Sequence, residues 1–165
     1  MSRWPSASAG SSSSRSSLPG EKRPRVPRVE AARKLLAPRE DVWAFLAEPR
    51  HFADWWPGIA AVEPDRRGLA AGARWQIRGT NRPSFLRSPN PSGMLLVLAA
   101  APPERVVFQL TGERIEAELR LEAAAADRTI ATLTVNGPWL IGLGRSFPHR
   151  ALNRLHALVQ TAAEV

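Results

Sequence analysis

The 165-residue chain contains no cysteine and no tyrosine. Without cysteine there is no disulfide, no thiol nucleophile and no thiolate metal ligand, and nothing indicates an oxidising compartment. Without tyrosine there is no phenolic group for acid–base chemistry. No stretch approaches the roughly 20 consecutive apolar residues that a membrane-spanning helix needs. We therefore expect a soluble, cytoplasmic protein.

The positive charge is concentrated at the N-terminus. The net charge is +8, and residues 1–28 supply +5 of it, from six basic residues and one acidic residue. Of the 23 basic residues, 21 are arginine, a bias that a GC-rich coding sequence would also give. A nucleic-acid-binding domain typically has a basic patch or stripe, interleaved with aromatic residues when it binds single strands. The rest of the chain has only scattered charges of both signs, so we predict no nucleic-acid partner.

The first 25 residues differ in composition from the remainder. Residues 1–25 are rich in Ser, Pro, Gly and Arg, and they lack the apolar core of a secretory signal. We predict a disordered tail over residues 1–25 and one folded domain over residues 26–165. The tail is either an extension without function, an upstream start codon wrongly chosen, or an electrostatic contact for an acidic partner.

The domain begins with a strand and two helices. A strand is predicted over residues 29–37. Pro38 suits the first helical position, and the carboxylates of Glu40 and Asp41 follow in the first turn, where they favour the helix dipole. The apolar spacing i, i+3, i+4 continues this helix through Val42, Phe45 and Leu46. A second short helix is predicted over residues 51–56, before Pro57 and Gly58.

After residue 58 the hydrophobic period changes to two. Residues 114–122 are the clearest case, because apolar residues alternate with charged ones. Residues 94–101 are apolar on both faces, so their orientation is ambiguous from the sequence. Hairpin-linked strands form an antiparallel sheet with one wet face and one dry face. Six strands are predicted, at residues 59–67, 72–80, 94–101, 106–111, 114–122 and 129–136.

The C-terminus supplies a cover for the dry face. Over residues 148–164 apolar residues recur at i, i+3, i+7 and i+10, which predicts an amphipathic helix of four to five turns. The apolar segment before it, residues 138–147, contains two glycines and could begin the same helix with a kink near Pro148.

Besides this order of elements, five local sequences are informative, at residues 37–46, 52–57, 72–75, 102–106 and 129–135. Together they resemble the SRPBCC (START-related) superfamily. That group includes START-type lipid carriers, polyketide cyclase/dehydrase-like proteins and plant pathogenesis-related proteins. The resemblance covers residues 27–163. It implies an α+β helix-grip fold in the order β-α-α-β6-α, in which a curved antiparallel sheet of about seven strands wraps around a long C-terminal helix and encloses a cavity.

Apolar residues of the dry face and the terminal helix are the candidate ligand-binding residues. The pattern itself fits a filled core as well as a lined cavity, and the resemblance favours the cavity. Of the adjacent Trp55 and Trp56, one could rim the mouth of the pocket, or both could be structural. The long loop 81–92, with an apolar tip, is a candidate lid. The predicted site residues are Trp56, Trp75, Ile77, Phe85, Phe108, Leu110, Ile115, Ala117, Leu119, Leu133, Val135, Leu152, Leu155 and Val159.

Groups for catalysis or metal binding are few. His149 and His156 lie seven residues apart on the terminal helix, but two histidines alone make a weak metal site. The charged residues Glu116, Glu118 and Arg120 alternate with apolar residues and therefore belong to the wet face, as cross-strand pairs. We predict no catalytic residue, no metal and no cofactor.

Three functions remain open from the sequence. The first is binding or carriage of a hydrophobic small molecule, lipid-like or aromatic. The alternative is a polyketide cyclase/dehydratase-type enzyme, which would need an acid or base inside the pocket. The third is an interaction or membrane-associated role that uses the basic tail. The sequence leaves the oligomeric state open.

Overall fold

The computed structural model describes residues 27–80, 93–137 and 145–163. The predicted fold is confirmed, with a seven-stranded antiparallel sheet and a long C-terminal helix. A 3-10 turn at Pro49–His51 separates the first two helices. The other elements are β1 (Arg28–Leu35), α1 (Arg39–Ala47), α2 (Phe52–Trp55), β2 (Ile59–Glu63), β3 (Arg74–Gly79), β4 (Gly93–Ala101), β5 (Arg105–Leu110), β6 (Ile115–Ala125), β7 (Arg128–Asn136) and α3 (Phe147–Ala163).

The strands lie in the order β1-β7-β6-β5-β4-β3-β2. Strands β2 to β7 are neighbours in sequence and in space, as hairpin connections require. The first strand closes the order by pairing with the last, so that Val29 lies opposite Val135. Because side chains alternate along a strand, this register places Ala31, Leu133 and Leu119 in one row on the dry face.

Three register shifts interrupt the ladders, in β2, β4 and β6. A β-bulge bends its strand and increases the local twist, so these positions contribute to the curvature of the sheet. The shift in β4 also bears on which residues of that strand face the core, which the sequence left ambiguous. Leu95 and Val97 are buried and Leu98 is 41% exposed, as simple alternation requires. The shift between Val97 and Ala99 then changes the phase, so that Ala100, and not Ala99, packs against the core.

The helices cover the concave dry face of the sheet. α3 packs against β1, β7 and α2. Its residues Leu152, Leu155 and Val159 are buried in the core, together with Ala151. Burying a leucine-sized side chain stabilises the fold by roughly 1.5–3 kcal/mol, so this apolar stripe holds the helix on the sheet.

The structure corrects three details of the predicted elements. Pro38 occupies the N-cap of α1 instead of the first helical position, and its carbonyl accepts the hydrogen bond from the Val42 N–H at 3.1 Å. β2 ends at Glu63, before Pro64, and not at residue 67. α3 begins at Phe147, so that Pro148 lies in the first turn, where its missing N–H costs nothing. The predicted tail and the segment 138–144 lie outside the described residues.

Candidate functional site

A small apolar cavity lies between the first two helices and strands β3 to β5. Its volume is about 10 Å³, at the lower limit of what one water molecule needs. Seven of its eight lining residues are buried, and Leu69 alone is half-buried, which places Leu69 at its outer edge. The lining consists of Leu46, Phe52, Trp55, Leu69, Trp75, Leu95, Val106 and Phe108.

Half of this lining is aromatic, and Phe52 is the centre of the aromatic cluster. Its ring meets those of Trp55, Trp75 and Phe108 edge-on, at centroid distances of 5.3, 5.9 and 5.3 Å. Such edge-to-face pairs are each worth about 0.5–1.5 kcal/mol beyond the area that they bury. α2 is only four residues long, so these contacts, and not its own helical turns, position Phe52 and Trp55.

The loop between β2 and β3, residues 64–73, brings Leu69 to the cavity. The carboxylate of Asp65 accepts hydrogen bonds from the backbone N–H groups of Arg74 and Arg67, both at 3.0 Å. These two bonds lower the pKa of Asp65 below its ordinary value. Gly68 has a φ of +59°, in the left-handed region where glycine carries no penalty. The base of the loop is therefore tied together while its tip turns toward the cavity.

Thirteen of the fourteen predicted site residues lie in the described part of the chain, and all thirteen are buried. Trp75 and Phe108 line the cavity. The other eleven belong to the same hydrophobic core, and those on β6, β7 and α3 lie apart from this cavity. Their role in binding stays a prediction. Phe85, with its loop, lies outside the described residues.

Six lining residues were not among the predicted site residues. Leu46 could have been found, because it belongs to the apolar stripe of α1. Phe52 and Trp55 stand in a segment that the family resemblance had already marked. Leu69 carries no periodic signal, because it lies in a loop between two glycines. The six residues are Leu46, Phe52, Trp55, Leu69, Leu95 and Val106.

Trp55 and Trp56 both belong to the core. Their exposed fractions are 2% and 1%, so neither forms a rim. The rings meet edge-on at 5.4 Å, and Trp56 also contacts Phe147 at the start of α3, at 5.0 Å. The pair thus joins α2 to the terminal helix, and Trp55 also lines the cavity.

The charged residues of β6 lie on the outer face of the sheet. Glu118 accepts hydrogen bonds from Arg105 and Arg120, both at 2.6 Å. Partial burial raises the pKa of Glu118, but these two bonds and the charges of both arginines outweigh it and leave the pKa lowered. The Arg105–Glu118 pair is the predicted cross-strand pairing, whereas Arg120 reaches Glu118 along the same strand. Both pairs lie on the opposite side of the sheet from the cavity.

The histidines of α3 differ in environment. His149 is exposed, whereas His156 is half-buried beside β1, where desolvation and the nearby Arg33 lower its pKa. Among the described residues no three His, Cys, Asp or Glu side chains lie together as a metal site would require. None of the eight residues that line the cavity is ionisable.

Fold and site together define a class of protein, the helix-grip domains in which a curved sheet closes around a long helix over an apolar interior. The family model described as polyketide cyclase / dehydrase and lipid transport matches residues 26–160. The chain belongs to this family, which confirms the resemblance to the SRPBCC superfamily.

Solved structures of low sequence identity share the fold. A protein from Nitrosomonas europaea is 17% identical, with a TM-score of 0.62 over 82% of this chain and 95% of its own. A START superfamily protein from Mycobacterium smegmatis is 13% identical, with a TM-score of 0.62 over 82% of this chain and 98% of its own. A protein from Nitrosospira multiformis is 16% identical, with a TM-score of 0.61 over 84% of this chain and 100% of its own.

No curated protein matches the sequence. In the described ranges, no helix is both long and apolar enough to cross a membrane.

Proposed function

We propose that this protein binds a hydrophobic small molecule, lipid-like or aromatic, in the cavity between α1, α2 and strands β3 to β5. The observation that carries the proposal is the lining of that cavity, in which no residue is ionisable and half are aromatic. Small-molecule sites are concave and are lined mainly by hydrophobic and aromatic side chains. Membership of a family described by polyketide cyclisation and lipid transport supports the same class of ligand.

The size of the cavity sets a condition on this proposal. A volume of about 10 Å³ favours the filled-core alternative for the ligand-free protein at this position. Drug-sized ligands occupy pockets of roughly 300–1,000 Å³, so the lining must separate before such a ligand enters. Leu69 is the lining residue that can leave at least cost, because it is half-buried and lies in a loop.

Binding is better supported than catalysis at this site. A cyclase or dehydratase needs a general acid or base within hydrogen-bond reach of its substrate. The cavity presents only hydrocarbon and indole groups. Glu113, whose pKa is raised by burial, lies in the β5–β6 turn and is not part of the lining. We include in the proposal the cytoplasmic location and the absence of a nucleic-acid partner that the sequence predicts.

Native mass spectrometry of the freshly purified full-length chain, followed by organic extraction, tests the proposal. We expect a species heavier than the polypeptide and a hydrophobic molecule in the extract. Leu69→Trp should remove that species, because the larger side chain occupies the space that the ligand needs. Leu36→Trp is the matched control, since Leu36 is 47% exposed and lies outside the lining.

Thermal unfolding of both variants must first show that they fold. A bound molecule that is retained equally by Leu69→Trp and Leu36→Trp would place the binding site elsewhere. A wild-type protein that carries nothing, and that gains no thermal stability from any of a panel of fatty acids and aromatic ketones, would contradict hydrophobic binding altogether. Cell fractionation of the tagged full-length chain tests the location.

A further inference from the structure

The indole N–H of Trp75 is a polar group of the cavity lining whose hydrogen-bond partner lies in the β2–β3 loop. Trp75 is 0% exposed, and its ring lines the cavity. Its Nε1–H donates a hydrogen bond of 3.0 Å to the carbonyl oxygen of Gly68. Gly68 immediately precedes Leu69, the half-buried lining residue. Leu69, at the outer edge of the cavity, is therefore joined by one peptide bond to the carbonyl that accepts the hydrogen bond of Trp75.

The base of the loop is held by further bonds that do not involve this acceptor. Asp65 accepts from the N–H groups of Arg67 and Arg74. On the other side, the Gly72 N–H donates to the Val97 carbonyl of β4 at 2.8 Å. The Ala70 carbonyl also accepts from the Ala73 N–H at 3.0 Å, so Gly68 and Leu69 form the tip that can move while both ends of the loop stay in place. A backbone movement that withdraws Leu69 also displaces the Gly68 carbonyl from Trp75, because this carbonyl and the Leu69 N–H belong to one peptide unit.

Withdrawal of the tip has a chemical consequence. Trp has one donor and no acceptor, and a buried donor without a partner costs more than a net hydrogen bond contributes. A ligand that displaces Leu69 and offers only hydrocarbon leaves Nε1–H unsatisfied inside an apolar site. A ligand with an oxygen at that position restores the bond. A carboxylate is disfavoured, because no cation lines the cavity to offset its desolvation.

We propose that Trp75 is the polar recognition point of this site, and that its Nε1–H selects neutral hydrophobic ligands carrying a carbonyl, hydroxyl or ether oxygen, which replaces the carbonyl of Gly68. This inference rests on the proposed function, because it assumes that ligands enter this cavity. The inference goes beyond the proposed function in two respects. It names Trp75 as the residue that distinguishes among hydrophobic ligands, and it names a neutral oxygen as the group that Trp75 binds.

Two probes of nearly equal shape, acetophenone and α-methylstyrene, test the inference. Acetophenone carries a C=O group where α-methylstyrene carries a C=CH2 group. Their affinities are measured by NMR titration of the full-length, ¹⁵N-labelled protein. Because α-methylstyrene partitions more strongly into any apolar site, the affinity ratio of the two probes in one protein does not test the inference. The ratio is therefore compared between the wild type and the variants. Trp75→Phe removes the donor and keeps an aromatic ring. Trp43→Phe is the matched control, because Trp43 is a half-buried tryptophan of α1 outside the lining.

We expect Trp75→Phe to shift the affinity ratio against acetophenone by about fivefold or more, the equivalent of one lost hydrogen bond to a buried donor. Trp43→Phe should leave the ratio unchanged. In the wild-type protein we expect a nuclear Overhauser effect between the Trp75 Hε1 proton and the methyl group of bound acetophenone. This second measurement decides the matter even if Trp75→Phe does not fold, because Hε1 can be assigned in the ligand-free protein from its proximity to Gly68.

Two results would overturn the inference. In the first, both probes contact Phe52 and Phe108, but the affinity ratio is the same in Trp75→Phe and Trp43→Phe. In the second, Hε1 of Trp75 shows no contact with bound acetophenone. Either result would mean that the cavity binds ligands without a role for the indole N–H. The proposed function then survives alone. If neither probe contacts any lining residue, both the inference and the proposed site are wrong.

Discussion

The hydroxyl of Thr129 donates a hydrogen bond of 2.8 Å to the carbonyl oxygen of Ala37, 92 residues earlier in the chain. Both residues are buried, at 0% and 4% exposed. The bond ties the start of β7 to the junction between β1 and α1. It therefore helps to place α1, and with it Leu46, against the sheet.

Replacing Thr129 by valine keeps the shape of the side chain and leaves the Ala37 carbonyl without this partner. We expect the free energy of unfolding to fall by about 1–3 kcal/mol, the cost of a buried unsatisfied group. Urea denaturation followed by circular dichroism measures the change. Thr132→Val, at a half-buried position of the same strand, should change stability by less than about 0.5 kcal/mol. Equal unfolding midpoints for the two variants would show that the Thr129 bond contributes nothing to stability.

Leu155 lies at the centre of the contact between α3 and the sheet, and it is 0% exposed. Leu155→Ala removes buried methyl groups and leaves a cavity, so we expect a loss of about 2–5 kcal/mol in the free energy of unfolding. Leu158→Ala should cost less, because Leu158 is only partly buried on the same helix. Denaturant unfolding of both variants measures the difference. A larger loss for Leu158→Ala would mean that α3 presents another face to the sheet.

Glu118 gives a pH-dependent contribution to stability. Its pKa is lowered in the folded protein by Arg120 and Arg105, against the opposing effect of partial burial. A carboxyl group whose folded pKa is lowered stabilises the fold fully above its unfolded pKa, and this contribution is lost as the pH falls through the folded pKa. We expect Glu118→Gln to cost less than about 1 kcal/mol at pH 7, as is typical of exposed ion pairs.

The difference between wild type and Glu118→Gln should then disappear as the pH falls below about 4. Thermal unfolding at pH 7, 5 and 3 measures it. Glu116→Gln, two residues earlier on the same outer face, makes the same change of charge and should have the smaller effect at pH 7. If Glu118→Gln lowers stability equally at pH 3 and at pH 7, the loss comes from packing and not from charge.

Asp65 holds the base of the loop that carries Leu69. The N–H of Arg74 and then that of Arg67 lower its pKa, so the two bonds persist above the ordinary carboxyl pKa and weaken as the pH falls through the lowered value. We expect the Arg67 and Arg74 amide resonances to titrate together with a midpoint below about 3.9. In Asp65→Ala these two amides should exchange with solvent faster at neutral pH.

Asp127→Ala, in the distant β6–β7 turn, is the control for that experiment. It should leave the exchange of both amides unchanged. Hydrogen exchange followed by NMR gives the rates residue by residue. If Asp65→Ala leaves them as slow as in the wild type, the carboxylate does not hold the base of the loop, and the tip that carries Gly68 and Leu69 is not anchored by Asp65.

The sequence alone determined the order of elements and the face on which most strand residues lie. In β6 the apolar residues Ile115, Ala117 and Leu119 are buried, while Glu116 and Arg120 are exposed. This was predictable because alternation is a local property of an extended chain, and an apolar face must be covered. The apolar stripe of α3 was predictable for the same reason, from the 3.6-residue period of a helix.

Only the tertiary structure decided the phase of β4 and the position of the cavity. Beyond Val97, Ala100 and not Ala99 packs against the core because a register shift interrupts β4, and nothing in an all-apolar run marks where a shift falls. The cavity joins side chains from two helices, a loop and three strands, and Leu69 reaches it only because the loop is anchored at Asp65 and Gly72. Periodicity reports which side of its own element a residue faces. The space left between elements depends on how side chains distant in sequence fit together, and this is set only when the chain has folded.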